Sequence, residues 1–453
     1  MSRSAADRDL DAVLHPTTNL ALHQERGALV MERGKGIYVW DSNGKQYIEG
    51  LAGLWCTALG YGVEELAEAA AKQIRTLSYY HLFGGKSHEP AVELAEKLKS
   101  MVPFEASKVF FGNSGSDAND TQIKLVWYYN NAIGLPKKKK IISRLKAYHG
   151  VTLGSASLTG LPANHKDFDL PLPQVLHTDT PHYYRGAEPG ESEEEFASRL
   201  AERLESLIQR EDPETVAAFI AEPVMGAGGV MVPPKTYFEK IEEVLKRYDI
   251  LLIDDEVICG FGRTGQLFGA QTFNMHPDTM TLAKALSSAY LPISAVLIPE
   301  FMYEPMVESS RRIGVFGHGY TYTGHPVCAA VALKNLALLE ERGVYDHAAA
   351  VGAHFQVRLR RFADHPLVGE ARGVGLIGAC ELVQDKKTKQ SYEPSRGVGL
   401  YCADRCQQHG LIVRNLGDTI AFCPPLIISE SEIDEMFDRF GKALDETAAW
   451  LDK

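Results

Sequence analysis

The chain has 453 residues, with 47 basic against 59 acidic side chains and a net charge of −12. That is enough for one large α/β unit or for two or three ordinary domains. The charge has the wrong sign for a general nucleic-acid or anionic-membrane binder. The seven cysteines include no CxxC pair, and Cys402 and Cys406 read as one face of a helix, so no metal site is expected. The opening MSRSAADRDLDAVLHP lacks an apolar core of the secretory kind, and no apolar run approaches the ~20 residues that span a bilayer. The expectation is a cytoplasmic protein with neither nucleic-acid nor membrane partners.

In chain order, YVWDSNGKQYIEG (38–50) alternates around Asn43-Gly44, which predicts a hairpin. From about residue 65, helices alternate with short apolar strands. Val109–Phe111 runs into GNSGSDAND (112–120) and a helix through Leu125 and Trp127. The lysine run 137–140 reads as a solvated loop before Ile141–Leu145, which leads into KAYHG. Val216–Ala221 leads into EPVMGAGG, Ile250–Ile253 into the carboxylates Asp254, Asp255 and Glu256, and Thr279–Ala283 into Lys284; Ile293–Ile298 follows. Repeated strand–loop–helix units predict an α/β fold whose large domain is a mostly parallel sheet covered by helices on both faces. Beyond residue 326 the pattern loosens, and the chain closes on a helix with a Ser429/Glu432 capping box and an apolar stripe at Ile433, Met436, Phe437, Phe440 and Leu444. Residues 1–64 and 326–453 are expected to form a smaller α+β domain together, around a large domain at 65–325.

Ligands bind outside the carboxyl ends of such strands, where the polar and glycine-rich stretches collect. Backbone amides of Gly115 and Ser116 at a helix start could cradle a phosphate; a plain N-cap at Ser114 or Ser116 is the alternative. Alternation places Lys284 on the side of Met280 and Leu282, in apolar surroundings. A desolvated lysine is a better nucleophile toward carbonyl carbon; a snorkelling lysine at the sheet edge is the bland reading. A phosphate cradle, an imine-forming lysine and a buried carboxylate at Asp255 are together what pyridoxal phosphate needs. Tyr148 and Val257 could pack on the two faces of its ring, while Asp254 and Glu256 alternate away and read as structural.

The motifs NSGSDAND, AYHG, EPVMGAGGV, DDEVICGFGRTG, the Lys284 segment and HGYTYTGHP (318–326) resemble the class III aminotransferases, pyridoxal-phosphate enzymes of fold type I, closest to the ω-amino acid and amine:pyruvate transaminases. The resemblance implies that Lys284 carries the cofactor and moves the substrate proton. It implies that Asp255 binds the pyridine nitrogen and that Tyr148 and Val257 sandwich the ring. Gly115 and Ser116 would hold the phosphate from one subunit, and Thr321 with the Tyr320 backbone from the other. A homodimer with shared sites follows, leaving a dimer of dimers open. His149 reads equally as a structural or a site histidine. The family usually has glutamate at Asp117 and often glutamine at Ile258.

For substrate choice, the resemblance makes Arg414 the arginine that swings in to bind a carboxylate. Relatives acting on ornithine or 4-aminobutyrate neutralise it with a glutamate at the position of Ala227. Trp55, with Tyr79, Tyr80 and Phe83, could wall the donor pocket; any of them could instead be core, and core is the preferred reading for Tyr79 and Phe83. The expected reaction is transfer of an amino group from an ω-amino acid or primary amine to pyruvate by ping-pong half reactions. A dialkylglycine decarboxylase or aminomutase chemistry, or an effector-sensing aminotransferase-like protein, is the alternative.

Overall fold

A computed structural model describes residues 3–452. Its central sheet has seven strands in the order Lys108–Gly112, Ser294–Ile298, Thr279–Leu282, Leu251–Asp255, Val216–Ala221, Lys140–Arg144, Val175–Thr178. Ser294–Ile298 is antiparallel to both neighbours, and the remaining pairs are parallel. The edge strand Val175–Thr178 has no counterpart among the expected strands, because only its first two residues are apolar.

Successive strand residues feed two separate cores, as a sheet covered on both faces requires. Ile141, Ala218, Ile220 and Ile253 share a buried cluster with Ile123 and Val126 of helix Gly115–Ala132. Ile142, Phe219, Leu252, Met280 and Leu282 share the other with Phe196, Tyr237 and Leu336 of helices Glu193–Arg210, Tyr237–Arg247 and Pro326–Glu341. The period fixes the sides at the sheet's acidic end. Asp255 follows Ile253 toward helix Gly115–Ala132, and Asp254 follows Leu252 to the opposite core.

The hairpin forms as expected, with Tyr38–Asp41 antiparallel to Gln46–Glu49. Gly44 takes φ 80° in the turn, and the Asp41 carboxylate accepts from the amides of Asn43 and Lys45. Strand Leu411–Ile412 then joins Gln46–Glu49 in parallel, so residues from both ends of the chain share one sheet. A third sheet, Val368–Val374, Ile377–Leu382, Thr419–Phe422, Arg414–Leu416, is antiparallel. Helix Glu430–Leu451 carries the Ser429/Glu432 capping box and buries the expected stripe, in which each large apolar side chain contributes ~1.5–3 kcal/mol. Cys402 and Cys406 are both buried on helix Val398–Gln408.

The lysine run departs from its reading as a solvated loop. Lys138 is buried, and its ammonium donates to the carbonyls of Tyr248 and Asp249 where helix Tyr237–Arg247 ends. A cation at a helix C-terminus is favoured by the unsatisfied carbonyls there. No helix among the described residues is long and apolar enough to cross a membrane.

Candidate active site

Helix Gly115–Ala132 begins with a reciprocal cap. Ser114 Oγ accepts from the Asp117 amide at 3.2 Å, and the Asp117 carboxylate accepts from the amides of Ser114 at 3.0 Å and Asn113 at 2.9 Å. Ser114 is thus the N-cap, and aspartate at 117 caps as the family's glutamate would. The amides of Gly115 and Ser116 have no partner among the described residues and lie at the positive end of the helix dipole. Gly150 closes on them with φ 131°; a Cβ there would stand 2.6 Å from Ser116 Oγ and 2.7 Å from Ser116 Cα. Ser116 Oγ accepts from the Val151 amide at 3.1 Å, which leaves its own proton free to donate.

Opposite this cradle, at the end of strand Leu251–Asp255, Asp255 is 3 % exposed. One of its oxygens accepts from Asn119 Nδ2 and from His149 Nδ1, both at 2.7 Å, and the other from the Val257 amide at 3.1 Å. Three donors on three elements hold the carboxylate in one orientation. Asn119 also donates to the His149 carbonyl at 2.8 Å.

Lys284 enters by a route that strand alternation does not predict. The strand ends at Leu282, and Lys284 opens a short turn with φ 48°. Had the strand continued, its side chain would have followed Met280 and Leu282 into the opposite core; the turn brings it instead to the cavity that Asp255 borders. No side-chain hydrogen bond or ion pair holds it among the described residues.

These groups line one cavity of about 370 Å³, with Gly115, Ser116, Tyr148, His149, Val257, Ile258 and Lys284 on its wall. Gly115 approaches Val257 so closely that a Cβ would sit 3.0 Å from it. Glu222 supports the Tyr148 side, accepting from the Tyr148 amide at 3.0 Å and the Gly226 amide at 3.1 Å. Burial pushes the Tyr148 phenol up, and the nearby Arg414 charge pulls it down. The other two acids of the cluster are buried as well: Asp254 is 0 % and Glu256 1 % exposed. Desolvation raises both, Glu256 to about 7, and their mutual proximity adds to the rise at Asp254.

The cavity suits pyridoxal phosphate on three counts: two amides and a hydroxyl for a dianion, a fixed carboxylate for a protonated ring nitrogen, and on the same wall a lysine with no partner among the described residues. The family model described as aminotransferase class-III matches residues 21–444. The chain belongs to the class-III aminotransferases. Among solved structures it resembles the omega transaminase from Pseudomonas jessenii in complex with PMP, at 57 % identity over 99 % of each chain with a TM-score of 0.98. Among curated proteins it resembles gamma aminobutyrate transaminase 1, mitochondrial, of Solanum lycopersicum, at 54 % identity over 92 % of this chain and 82 % of the relative. Gamma aminobutyrate transaminase 2 of the same plant is 51 % identical over 93 % of both. This class-III aminotransferase has the type I fold and is pyridoxal-phosphate-dependent, with amine and keto-acid substrates.

The remaining residues of interest in the aminotransferase lie off the cavity wall. Trp55, at φ 65°, belongs to a buried cluster with Leu51, Val224 and Ile258, of which Ile258 lies on the cavity wall. Ala227 is in the loop beyond Gly226, whose Cα faces Ile258. Arg414 is half-buried on strand Arg414–Leu416, and no ion pair among the described residues includes it. Thr321 is exposed; its carbonyl accepts from Tyr79 Oη at 2.8 Å, while Tyr320 Oη donates to the Asp117 carbonyl at 2.9 Å. Neither touches the cavity of its own chain. Tyr79 and Phe83 are not core: with Tyr80 they are exposed on the segment beside Thr321, because that stretch is an irregular loop on the outer surface. Two further residues, Asn119 and Glu222, lie inside the motifs NSGSDAND and EPVMGAGGV, but the sequence assigns neither a contact. Asn119 stands one helical turn past Gly115, a spacing that points both at one side.

Proposed function

We propose that this aminotransferase moves the amino group of an ω-amino acid or primary amine to pyruvate by ping-pong half reactions, as a homodimer with shared sites. The observation that supports the reading is Arg414: a guanidinium with no carboxylate partner among the described residues, its charge near enough to Tyr148 to favour the ionised phenol, with alanine at 227. An unpaired arginine can take a substrate carboxylate through two parallel bonds.

Bound pyridoxal phosphate supplies the electron sink for loss of the substrate's α-proton. Lys284 would hold the cofactor, and its amine is the group that would take and return that proton. Asp255, kept in place by His149 and Asn119, balances the positive ring nitrogen. Gly115 and Ser116 would bind the phosphate, Val257 and Tyr148 would confine the ring, and Trp55 would limit the donor's bulk. Variants of the Pseudomonas jessenii enzyme at a tryptophan, a phenylalanine and an arginine are engineered for enantiopure bulky amines. Trp55, Phe83 and Arg414 repeat those residue types at the same intervals along this chain. The names of the plant relatives place 4-aminobutyrate among the donors to test, despite Ala227.

The dimer is supported by the placement of Tyr320 and Thr321 away from their own cavity, and by exposed Leu54, Tyr79, Tyr80, Phe83, Val151, Leu153 and Tyr322. Tyr79 and Tyr322 meet edge to face at 5.9 Å, and exposed apolar side chains in that number favour a covered surface. The pairing of Leu411–Ile412 with Gln46–Glu49 supports a small domain made of 1–64 and 326–453 around a large one at 65–325. Seven free cysteines suit a reducing cytoplasm.

The test is the visible spectrum of the purified holoenzyme, titrated with candidate amines and then with pyruvate. Bleaching by an amine, reversed by pyruvate with stoichiometric alanine, is the expected result. Carbon dioxide release or an intramolecular amine shift would replace this reading with a decarboxylase or mutase.

A further inference from the structure

The turn that carries Lys284 is held in a rare backbone state. Lys284, Ser288 and Ala289 have φ of 48°, 48° and 61°, in a stretch, 283–291, that contains no glycine. Residues with a Cβ leave this region of conformational space unless their surroundings over-determine it. The turn's own backbone bonds, the Ser287 and Ala289 amides to the Lys284 carbonyl among them, are joined by one buried side chain from a different part of the fold.

Asn335 lies within helix Pro326–Glu341 and is 0 % exposed. Its Nδ2 donates to the carbonyls of Ala285 at 2.9 Å and Leu286 at 3.0 Å. Its Oδ1 accepts from Ser288 Oγ at 2.6 Å, and that hydroxyl accepts from the Leu59 amide at 3.2 Å. One carboxamide therefore grips three residues of the turn and ties it to the N-terminal part of the chain. Asparagine is a poor helix former, and a buried amide is costly unless bonded. In a helix as apolar as PVCAAVALKNLALLEE, only these bonds account for it. The far end of the turn is closed by Ser287 Oγ donating to the Leu291 carbonyl at 2.6 Å, which lies outside Asn335's reach.

We propose that Asn335 is a positioning residue for Lys284: it fixes the turn whose left-handed start brings the lysine amine from the opposite core into the Asp255 cavity. Strand direction alone sends residue 284 elsewhere, so the reach of the amine depends on the turn, and the Asn335 bonds anchor that turn to helix Pro326–Glu341. The inference rests on the reading of Lys284 as the cofactor lysine.

The test uses Asn335→Leu, Asn335→Asp and Ser288→Ala in the full chain. Peptide-resolved hydrogen exchange over 284–290 is measured in cofactor-free protein. The pH midpoint of the visible absorbance of lysine-bound cofactor, kcat and KM are measured in holoenzyme. For Asn335→Leu, exchange in this peptide rises about tenfold while the central strands keep their protection. The absorbance midpoint moves, and kcat falls roughly 10- to 100-fold with KM little changed, the signature of a misplaced reacting group. Ser288→Ala moves every readout in the same direction by less. Asn335→Asp keeps the acceptor for Ser288 and loses the donor, so its kcat relative to the parent recovers toward acid pH, where a protonated carboxyl can donate again. A folded Asn335→Leu protein with unchanged exchange, midpoint and kcat overturns the proposal. If that variant does not fold, an unchanged Ser288→Ala protein overturns it instead. Full activity of Lys284→Ala removes the lysine reading alone, since the exchange experiment still reports on the turn.

Discussion

His149 Nδ1 stands 2.7 Å from Asp255 Oδ2, with the histidine side chain fully buried and the aspartate 3 % exposed. The contact joins the loop after strand Lys140–Arg144 to the end of strand Leu251–Asp255, and Asn119 reaches the same oxygen from helix Gly115–Ala132. A carboxylate held from three sides cannot swing away from a cation that approaches its open side.

Replacing Asp255 with asparagine removes the charge that faces the cofactor nitrogen, and activity falls by more than the cofactor affinity does. Replacing His149 with alanine leaves the charge but frees its plane. A lost bond to a charged group is worth ~1.5–3 kcal/mol, so cofactor affinity drops by about 10- to 100-fold. Equilibrium dialysis against pyridoxal phosphate checks both; unaltered binding by His149→Ala would make that histidine a packing residue.

Arg414→Ala separates the two substrate classes. With pyruvate, kcat/KM falls by about 10- to 100-fold, the worth of a charge-assisted bidentate contact. With an aldehyde that has no carboxylate it changes little. Equal losses with both acceptors would end the role of Arg414 in carboxylate binding.

Gly150→Ala tests the cradle from outside. The added methyl would meet Ser116 Cα at 2.7 Å, and φ 131° is itself barred to alanine. The start of the helix must therefore move. Cofactor affinity falls at least tenfold, equivalent to about 1.4 kcal/mol or more, while the rest of the chain stays folded by circular dichroism.

The buried acids make stability depend on pH in a stated direction. Desolvation raises Glu256 from its ordinary 4.5 to about 7, and Glu49 likewise to about 7. The unfolded chain binds fewer protons than the folded one between these values. The stabilising contribution is therefore complete below about pH 4.5 and is lost as pH rises through about 7. Glu256→Gln keeps an acceptor for the Ala270 amide, which now bonds Glu256 Oε1 at 2.7 Å, and cannot ionise. Its melting temperature declines less than the parent's between pH 5 and 7. Parallel declines would take Glu256 out of the account.

Much of this is legible in the chain. The short continuous apolar runs VAAFIA and LLI imply strands buried on both faces, and the strand period of two puts Asp255 and Asp254 on opposite sides. The glycine-rich stretches at strand ends mark the cavity, since only backbone free of side chains can approach a phosphate that closely. Asn119 and Glu222 are not legible there, because each acts on a group distant in sequence, Asp255 and the Tyr148 amide.

What the sequence by itself determined is local: the inner strands of the central sheet, which face residues within them take, where the helix near Gly115 starts, and which residue types stand at the strand ends. These follow from periods and propensities that operate over a few neighbours. The tertiary structure decided where Lys284 goes. A strand's period would have placed it with Met280 and Leu282, but a left-handed turn, stabilised by bonds from Asn335 some fifty residues along the chain, carries it to Asp255. No local rule contains that bond, because its energy exists only when helix and turn are already packed together.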